Sequence, residues 1–219
     1  MDLNVKHELE AWDGPAQRGV EAARRAIWEP LPDAGSDYWR SGIEPCLAQI
    51  VPHLEPALLG VENPTILDLG CGIGRLSLPI ASMYPHGKVI GLDISPSMLS
   101  IASEAAVSAG VANVDYVLCN GRDIPSSINK LHAAFSMITF QHMPWAAAAE
   151  YVRQVANLLL PGGVFRFQVS IGTEDVFLSH QILEEAVAVA CDVAGLEVVA
   201  VDRGAIYSVW SWFTVRRPK

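Results

Sequence analysis

Residues 65–75 constrain this chain more than any other segment. They read Thr65-Ile66-Leu67-Asp68-Leu69-Gly70-Cys71-Gly72-Ile73-Gly74-Arg75. A short apolar run leads into glycines at alternate positions and then into a helix-like stretch at 76–83. That order is a buried strand, a tight turn and a helix, the opening of a βαβ unit. Glycines let the backbone turn sharply and let a ligand approach without meeting a Cβ. The helix start behind the turn adds N–H donors. Asp93 ends the next apolar run, 88–93. In such a layout that position binds ribose hydroxyls.

The alternation continues to the C-terminus. Strands are expected at 65–69, 88–93, 114–118, 134–139, 164–169, 196–201 and 207–215, and helices at 76–83, 96–109, 145–160 and 176–193. Ser95-Pro96 supplies an N-cap and a proline at the first helical position. Gly110 supplies the C-cap of that helix. Only a short loop around Gly204 separates the last two strands, too short for a crossover helix, so the last strand is expected to be antiparallel. Before residue 63 the chain reads as helical pieces and turns, including a helix at 43–51 closed by Pro52. The expected fold is α/β: a Rossmann-like, doubly wound, seven-stranded sheet, mostly parallel with the last strand antiparallel. An N-terminal helical extension, 1–62, precedes the main domain, 63–219.

Composition narrows the partners. Half the residues are hydrophobic (51%) in a chain of 219, enough for one core. The formal net charge is −9, and the only basic doublets are Arg24-Arg25 and Arg216-Arg217. A nucleic-acid backbone demands clustered Lys and Arg, so no nucleic-acid partner is expected. Glu184, Glu185, Asp192 and Glu197 interrupt the apolar stretch 182–201, so no membrane partner is expected either. The N-terminus lacks the apolar core of a secretory signal. Cys46, Cys71, Cys119 and Cys191 are scattered, which reads as a reduced, cytoplasmic inventory. The six histidines show no metal-ligand spacing.

Two cofactor classes share the loop layout. A dinucleotide fingerprint spaces its glycines G-x-G-x-x-G so that a pyrophosphate sits on the helix end. Here the spacing is G-x-G-x-G, preceded by Asp68. An acid beside the loop repels a pyrophosphate and suits the α-ammonium of a methionine moiety. The charge argument favours an amino-acid nucleoside over NAD.

Residues 66–75 resemble the first motif of the class I S-adenosylmethionine-dependent methyltransferases. Gly91-Leu92-Asp93-Ile94-Ser95 is similar to the second. Cys119-Asn120-Gly121-Arg122-Asp123-Ile124-Pro125 resembles the family's Gly-Asp-Ala-x-x-Leu-Pro segment. Residues 158–163 resemble its Leu-x-Pro-Gly-Gly turn. The likeness spans roughly residues 64–217, with Asn120 where the family often has Asp. Phe135-Ser136 is read as the place where the family's fourth strand usually starts Phe-Asp.

The resemblance implies S-adenosyl-L-methionine as cofactor and a methyltransferase as the enzyme. Asp68, Gly70, Cys71 and Gly72 then line the methionine end. Asp93 holds the ribose, Ile94 packs on the adenine, and Asn120 with Gly121 reads its edge. Gln141 and His142 lie beside the sulfonium and the acceptor, and His142 is the candidate general base. Tyr38, Trp39 and Arg40 form a candidate lid, with Arg40 on the methionine carboxylate and Tyr38, Trp39 and Trp145 toward the acceptor. The amino-methylation motif [DNS]-P-P-[YFW] is absent, which leaves a small-molecule acceptor by elimination. The competing readings are a nicotinamide-dependent oxidoreductase, a non-catalytic S-adenosylmethionine-binding module and an aminopropyl transferase.

Overall fold

The computed structural model describes residues 3–27, 42–172, 180–203 and 210–219. They group into two compact units, Met1–Pro52 with Glu62–Gly121, and His53–Val61 with Arg122–Lys219. The architecture is a mixed α/β sheet, mostly parallel, with the antiparallel pairings confined to the C-terminal strands.

The first unit opens with helices α1 (Leu3–Gln17) and α2 (Val20–Ile27). A short helix α3 (Ile43–Pro45) runs into a π-helical turn, Cys46–Ile50, and on into α4 (Val51–Leu58), which from His53 onward belongs to the second unit. Pro52 was expected to close this helix at 51. Instead it falls in the first turn of α4, where a missing N–H costs little. The π turn before it re-satisfies the ladder, with the Val51 N–H bonded to the Cys46 carbonyl.

Then come β1 (Thr65–Leu69), α5 (Ser77–Met83), β2 (Lys88–Asp93), α6 (Pro96–Ala109) and β3 (Val114–Leu118). The three strands are parallel, and Asp68, Gly91 and Tyr116 stand in one row across them. Gly91 keeps that row flat. A Cβ there would lie 2.6 Å from the Tyr116 ring and 2.9 Å from the Cys71 sulfur. Helix α6 has the expected ends: Ser95 Oγ accepts the Met98 N–H at 3.1 Å, and Gly110 closes the helix at φ 69°.

The second unit carries β4 (Leu131–Ser136), a 3-10 turn (Phe140–His142), α7 (Trp145–Leu158) and β5 (Leu159–Ile171). After these come β6 (Gln181–Ile182), α8 (Glu184–Val193), β7 (Glu197–Arg203) and β8 (Trp210–Arg216). Strand β5 pairs in parallel with β4 and β6, and β8 is antiparallel to both β5 and β7, as the short final loop implied. The rings of Phe140, Phe165, Phe167 and Phe213 form one chain with centroids 4.8–6.1 Å apart. On the other side of β5, the fully buried Arg166 bonds Asp202 and Thr214, each at 2.7 Å, and lies over the Trp212 ring.

The larger differences from expectation in the second unit fall at three boundaries. The fourth strand was placed at 134–139 but spans Leu131–Ser136, so Phe135-Ser136 ends it instead of starting it. Ile138 adopts φ 58°, a left-handed conformation that no strand continues through. The fifth strand begins at Leu159 and takes in Pro161-Gly162-Gly163, with a register shift against Leu131 and Ala133. Of the helix expected at 176–193, residues 176–179 lie outside the described residues; among those described, Gln181 and Ile182 pair with Ser170 and Ile171 as strand and the helix begins at Glu184. Glu184 and Glu185 then occupy the first helical turn, where the helix dipole favours acids.

Candidate cofactor site

The site is built where β1, β2 and β3 end. After Leu69 the chain turns through Gly70, Gly72 and Gly74, at φ 77°, 53° and 80°. These are left-handed values, at which side chains other than glycine are strained. The Leu92 carbonyl accepts the Gly70 and Cys71 N–H groups at 2.8 and 3.1 Å. Asp93 Oδ2 accepts the Gly72 N–H at 2.8 Å, and Oδ1 accepts the Ser95 N–H at 2.9 Å. The Asp93 carbonyl accepts the Cys119 N–H at 2.9 Å. One residue therefore ties together the loops that follow all three strands.

These bonds decide what the loop can hold. A phosphate cradle needs several free N–H groups pointing at the anion. Here the N–H groups of Gly70, Cys71 and Gly72 are already committed to Leu92 and Asp93.

Two buried carboxylates stand beside the loop. Asp68 is 2% exposed, and Asp68 Oδ2 accepts the Ser77 hydroxyl at 2.6 Å, across the start of α5. Burial pushes the Asp68 pKa up to about 7. The Ser77 bond opposes that rise and the Asp93 charge adds to it. Asp93 is raised as well, mainly by burial, against the N–H groups of Ser95, Gly72 and Ile94. The buried Cys71 thiol is pushed well above its ordinary value, again mainly by burial, so it is no nucleophile here. The local field is negative and suits a cationic ligand.

The residues implied for the adenine also come together. A Cβ on Gly121 (φ 79°) would lie 2.7 Å from Ile94 Cδ1. Asn120 beside it is exposed. Tyr38, Trp39 and Arg40 lie outside the described residues. Gln141, His142 and Trp145 belong to the second unit. Gln141 is 6% exposed, and its Nε2 lies 3.5 Å from His142 Nε2. The Gln141 backbone carbonyl accepts the His180 N–H at 2.7 Å. Trp145 starts α7 and is half-buried. Sequence reasoning missed Ser77, Asp13 and Val5. Ser77 stands in the first turn behind the glycines, a local position from which a hydroxyl reaches back to Asp68. Asp13 and Val5 reach the site through tertiary contacts and carry no local signal.

A strand, a glycine turn and a helix, with an acid at the end of the next strand, form the layout found in nucleotide-binding α/β domains. Residues 66–163 match the model of a methyltransferase domain. The chain is 24% identical over 206 residues to a tRNA (guanine-N(7)-)-methyltransferase of Chloroflexus aurantiacus, covering 89% of this chain and 92% of that protein. It is 27% identical over 143 residues to a trans-aconitate 2-methyltransferase of Methylobacterium nodulans, covering 65% of this chain but only 52% of that protein. The fold is similar to that of magnesium protoporphyrin IX methyltransferase from Synechocystis PCC 6803, with TM-score 0.75 and 16% identity over 98% of this chain and 99% of that one. Residues 66–163 therefore form a methyltransferase domain, on the fold of methyltransferases solved with S-adenosylmethionine or S-adenosylhomocysteine bound. No helix among the described residues is long and apolar enough to cross a membrane.

Proposed function

We propose that this enzyme methylates an oxygen or nitrogen of a small molecule by direct displacement. The observation that carries the cofactor half of this reading is the committed loop. Its N–H groups are spent inside the protein, and two buried carboxylates face the same turn. That set suits an ammonium and a sulfonium better than a pyrophosphate.

The cofactor supplies a methyl group on a positively charged sulfur, and that charge disappears on transfer. The protein supplies alignment and exclusion of water. Asp93 offers its remaining lone pairs to the ribose hydroxyls, Asp68 attracts the ammonium, and Gly70, Cys71 and Gly72 allow close approach. Ile94, Asn120 and Gly121 take the adenine. Gln141 and His142 serve the acceptor side, with His142 taking the proton of an O–H or N–H nucleophile. Arg40, with Tyr38, Trp39 and Trp145, completes the proposed constellation.

The acceptor class rests on charge. The relative from Chloroflexus aurantiacus carries a tRNA methyltransferase name. This chain, however, carries a formal net charge of −9. Many of its cations are locally neutralised: Lys88 by Asp115, Arg153 by Glu150, Arg203 by Glu184 and Arg216 by Glu197. Paired cations release few counterions and grip phosphates weakly.

The test is transfer of a labelled methyl group from S-adenosylmethionine into separate metabolite and tRNA fractions. Label is expected in the metabolite fraction, with turnover falling roughly a hundredfold or more in His142→Ala, the scale of a lost general base. Label confined to tRNA contradicts the acceptor class. Undiminished turnover in His142→Ala removes the proton-accepting role.

A further inference from the structure

The N-terminal helix reaches the nucleoside end of the site through contacts distant in sequence. Asp13, on α1, is 7% exposed, and its carboxylate caps α6. Asp13 Oδ1 accepts the Ser95 hydroxyl at 2.6 Å and the Ser97 N–H at 2.9 Å. Asp13 Oδ2 accepts the Gln17 amide at 2.6 Å. Burial pushes the Asp13 pKa up, but these bonds outweigh it and hold the group below its ordinary value. The residue is therefore a carboxylate at the N-terminus of a helix, where a negative charge is stabilised. Ser95 is also the residue whose N–H bonds Asp93, so one short turn carries both acids.

Apolar contacts extend the same seam. Ala16 of α1 and Ala23 of α2 pack with Ile73 of the glycine loop and Met98 of α6, and Trp12, Ile27 and Ile101 lie against that cluster. Ile27 Cδ1 would be 3.3 Å from a Cβ on Gly72. Val5 Cγ1 would be 2.9 Å from a Cβ on Gly121, next to Ile94 Cδ1 at 2.7 Å. The first turns of α1 thus meet the adenine-reading turn, its middle caps the helix behind the ribose acid, and α2 meets the methionine-side loop.

We propose that α1 is a cover over the cofactor's nucleoside end, latched by Asp13, and that Val5 sets how large an adenine the slot accepts. This rests on the cofactor reading given above. With Val5 and Ile94 both against Gly121, a nucleoside enters or leaves only when α1 lifts. Asp13 and Val5 are positioning residues, because they act through Ser95 and Gly121.

Three measurements on the full chain test this. Hydrogen exchange, without ligand, is expected to be faster throughout α1 in Asp13→Asn than in the parent, while β1, β2 and β3 stay protected. Stopped-flow mixing with S-adenosylhomocysteine is expected to show association and release both accelerated by about tenfold in Asp13→Asn, the scale of one hydrogen bond to a charged group. The dissociation constant then changes less than either rate, which simple damage to the site would not produce. Val5→Ala is expected to bind an N6-benzyl analogue of S-adenosylhomocysteine about tenfold better than the parent does, the scale of one opened apolar contact, with little change for the unsubstituted ligand.

Unchanged exchange in α1 overturns the latch. Faster exchange with unchanged ligand rates overturns the cover, and unchanged discrimination in Val5→Ala overturns the role of that side chain. A parent protein that binds no S-adenosylhomocysteine overturns the cofactor reading and the cover with it, while the exchange measurement still reports on the latch.

Discussion

Asp93→Ala is expected to weaken S-adenosylhomocysteine binding by roughly a hundredfold or more, since bonds to a charged group contribute about 1.5–3 kcal/mol each. The substitution removes the acceptor proposed for the ribose hydroxyls. It also strips the Gly72 and Ser95 N–H groups of a partner, so the glycine turn and the start of α6 lose their common anchor. Asp93→Asn keeps one oxygen acceptor and is expected to fall between the two. A 2′-deoxy analogue separates ribose recognition from loop damage. The parent protein is expected to discriminate against it strongly, and Asp93→Ala hardly at all, as a double-mutant comparison measured by calorimetry. Equal discrimination by parent and variant would place the ribose elsewhere.

Asp68→Asn is expected to stabilise the fold above pH 7 while weakening the cofactor's hold. The folded protein holds the Asp68 proton up to about pH 7, whereas an unperturbed carboxyl releases it near 3.8. Between those values the unfolded chain binds fewer protons, so the contribution of Asp68 to stability falls as pH rises. At about 1.4 kcal/mol per pH unit, that interval costs the native protein on the order of 4 kcal/mol once Asp68 is ionised. Asn retains an oxygen for the Ser77 hydroxyl and carries no charge, but its amide hydrogens need partners. A net gain of roughly 1–3 kcal/mol is therefore expected at pH 8, shrinking toward pH 4, as read by thermal unfolding. Binding moves the other way. Only the ionised Asp68 attracts the ammonium, so affinity in the parent is expected to fall as pH drops below 7. In Asp68→Asn it is expected to be roughly ten- to a hundredfold weaker at pH 8, the scale of a hydrogen bond to a charged group, and much less pH-dependent. A variant less stable than the parent at pH 8, or one that binds equally well, would remove Asp68 from this role.

The fold around the glycine turn was legible because its signals are local. The strand, glycine turn and helix of 65–83, the Ser95-Pro96 start of α6 and the Gly110 stop each depend on a few adjacent residues. The antiparallel end followed from the shortness of one loop. The misreadings came where tertiary context overrode local pattern. Pro52 fell in a first helical turn behind a π turn. The fourth strand began before the apolar run looked strongest, because Leu131 and Ala133 pair with Leu159 and Val164 of β5. Gln181 and Ile182 have an apolar, helix-like context but are taken up by the edge of Ser170 and Ile171. Asp13 shows the limit best, since its partners Ser95 and Ser97 lie 82 and 84 residues away.

Isothermal calorimetry on the folded 219-residue chain tests the central assignment most directly, with S-adenosylhomocysteine and NADH titrated separately at pH 8. A saturable, one-to-one heat with the nucleoside amino acid and none with the dinucleotide is the result this site predicts. Heat from NADH alone would contradict it, and so would silence from both ligands.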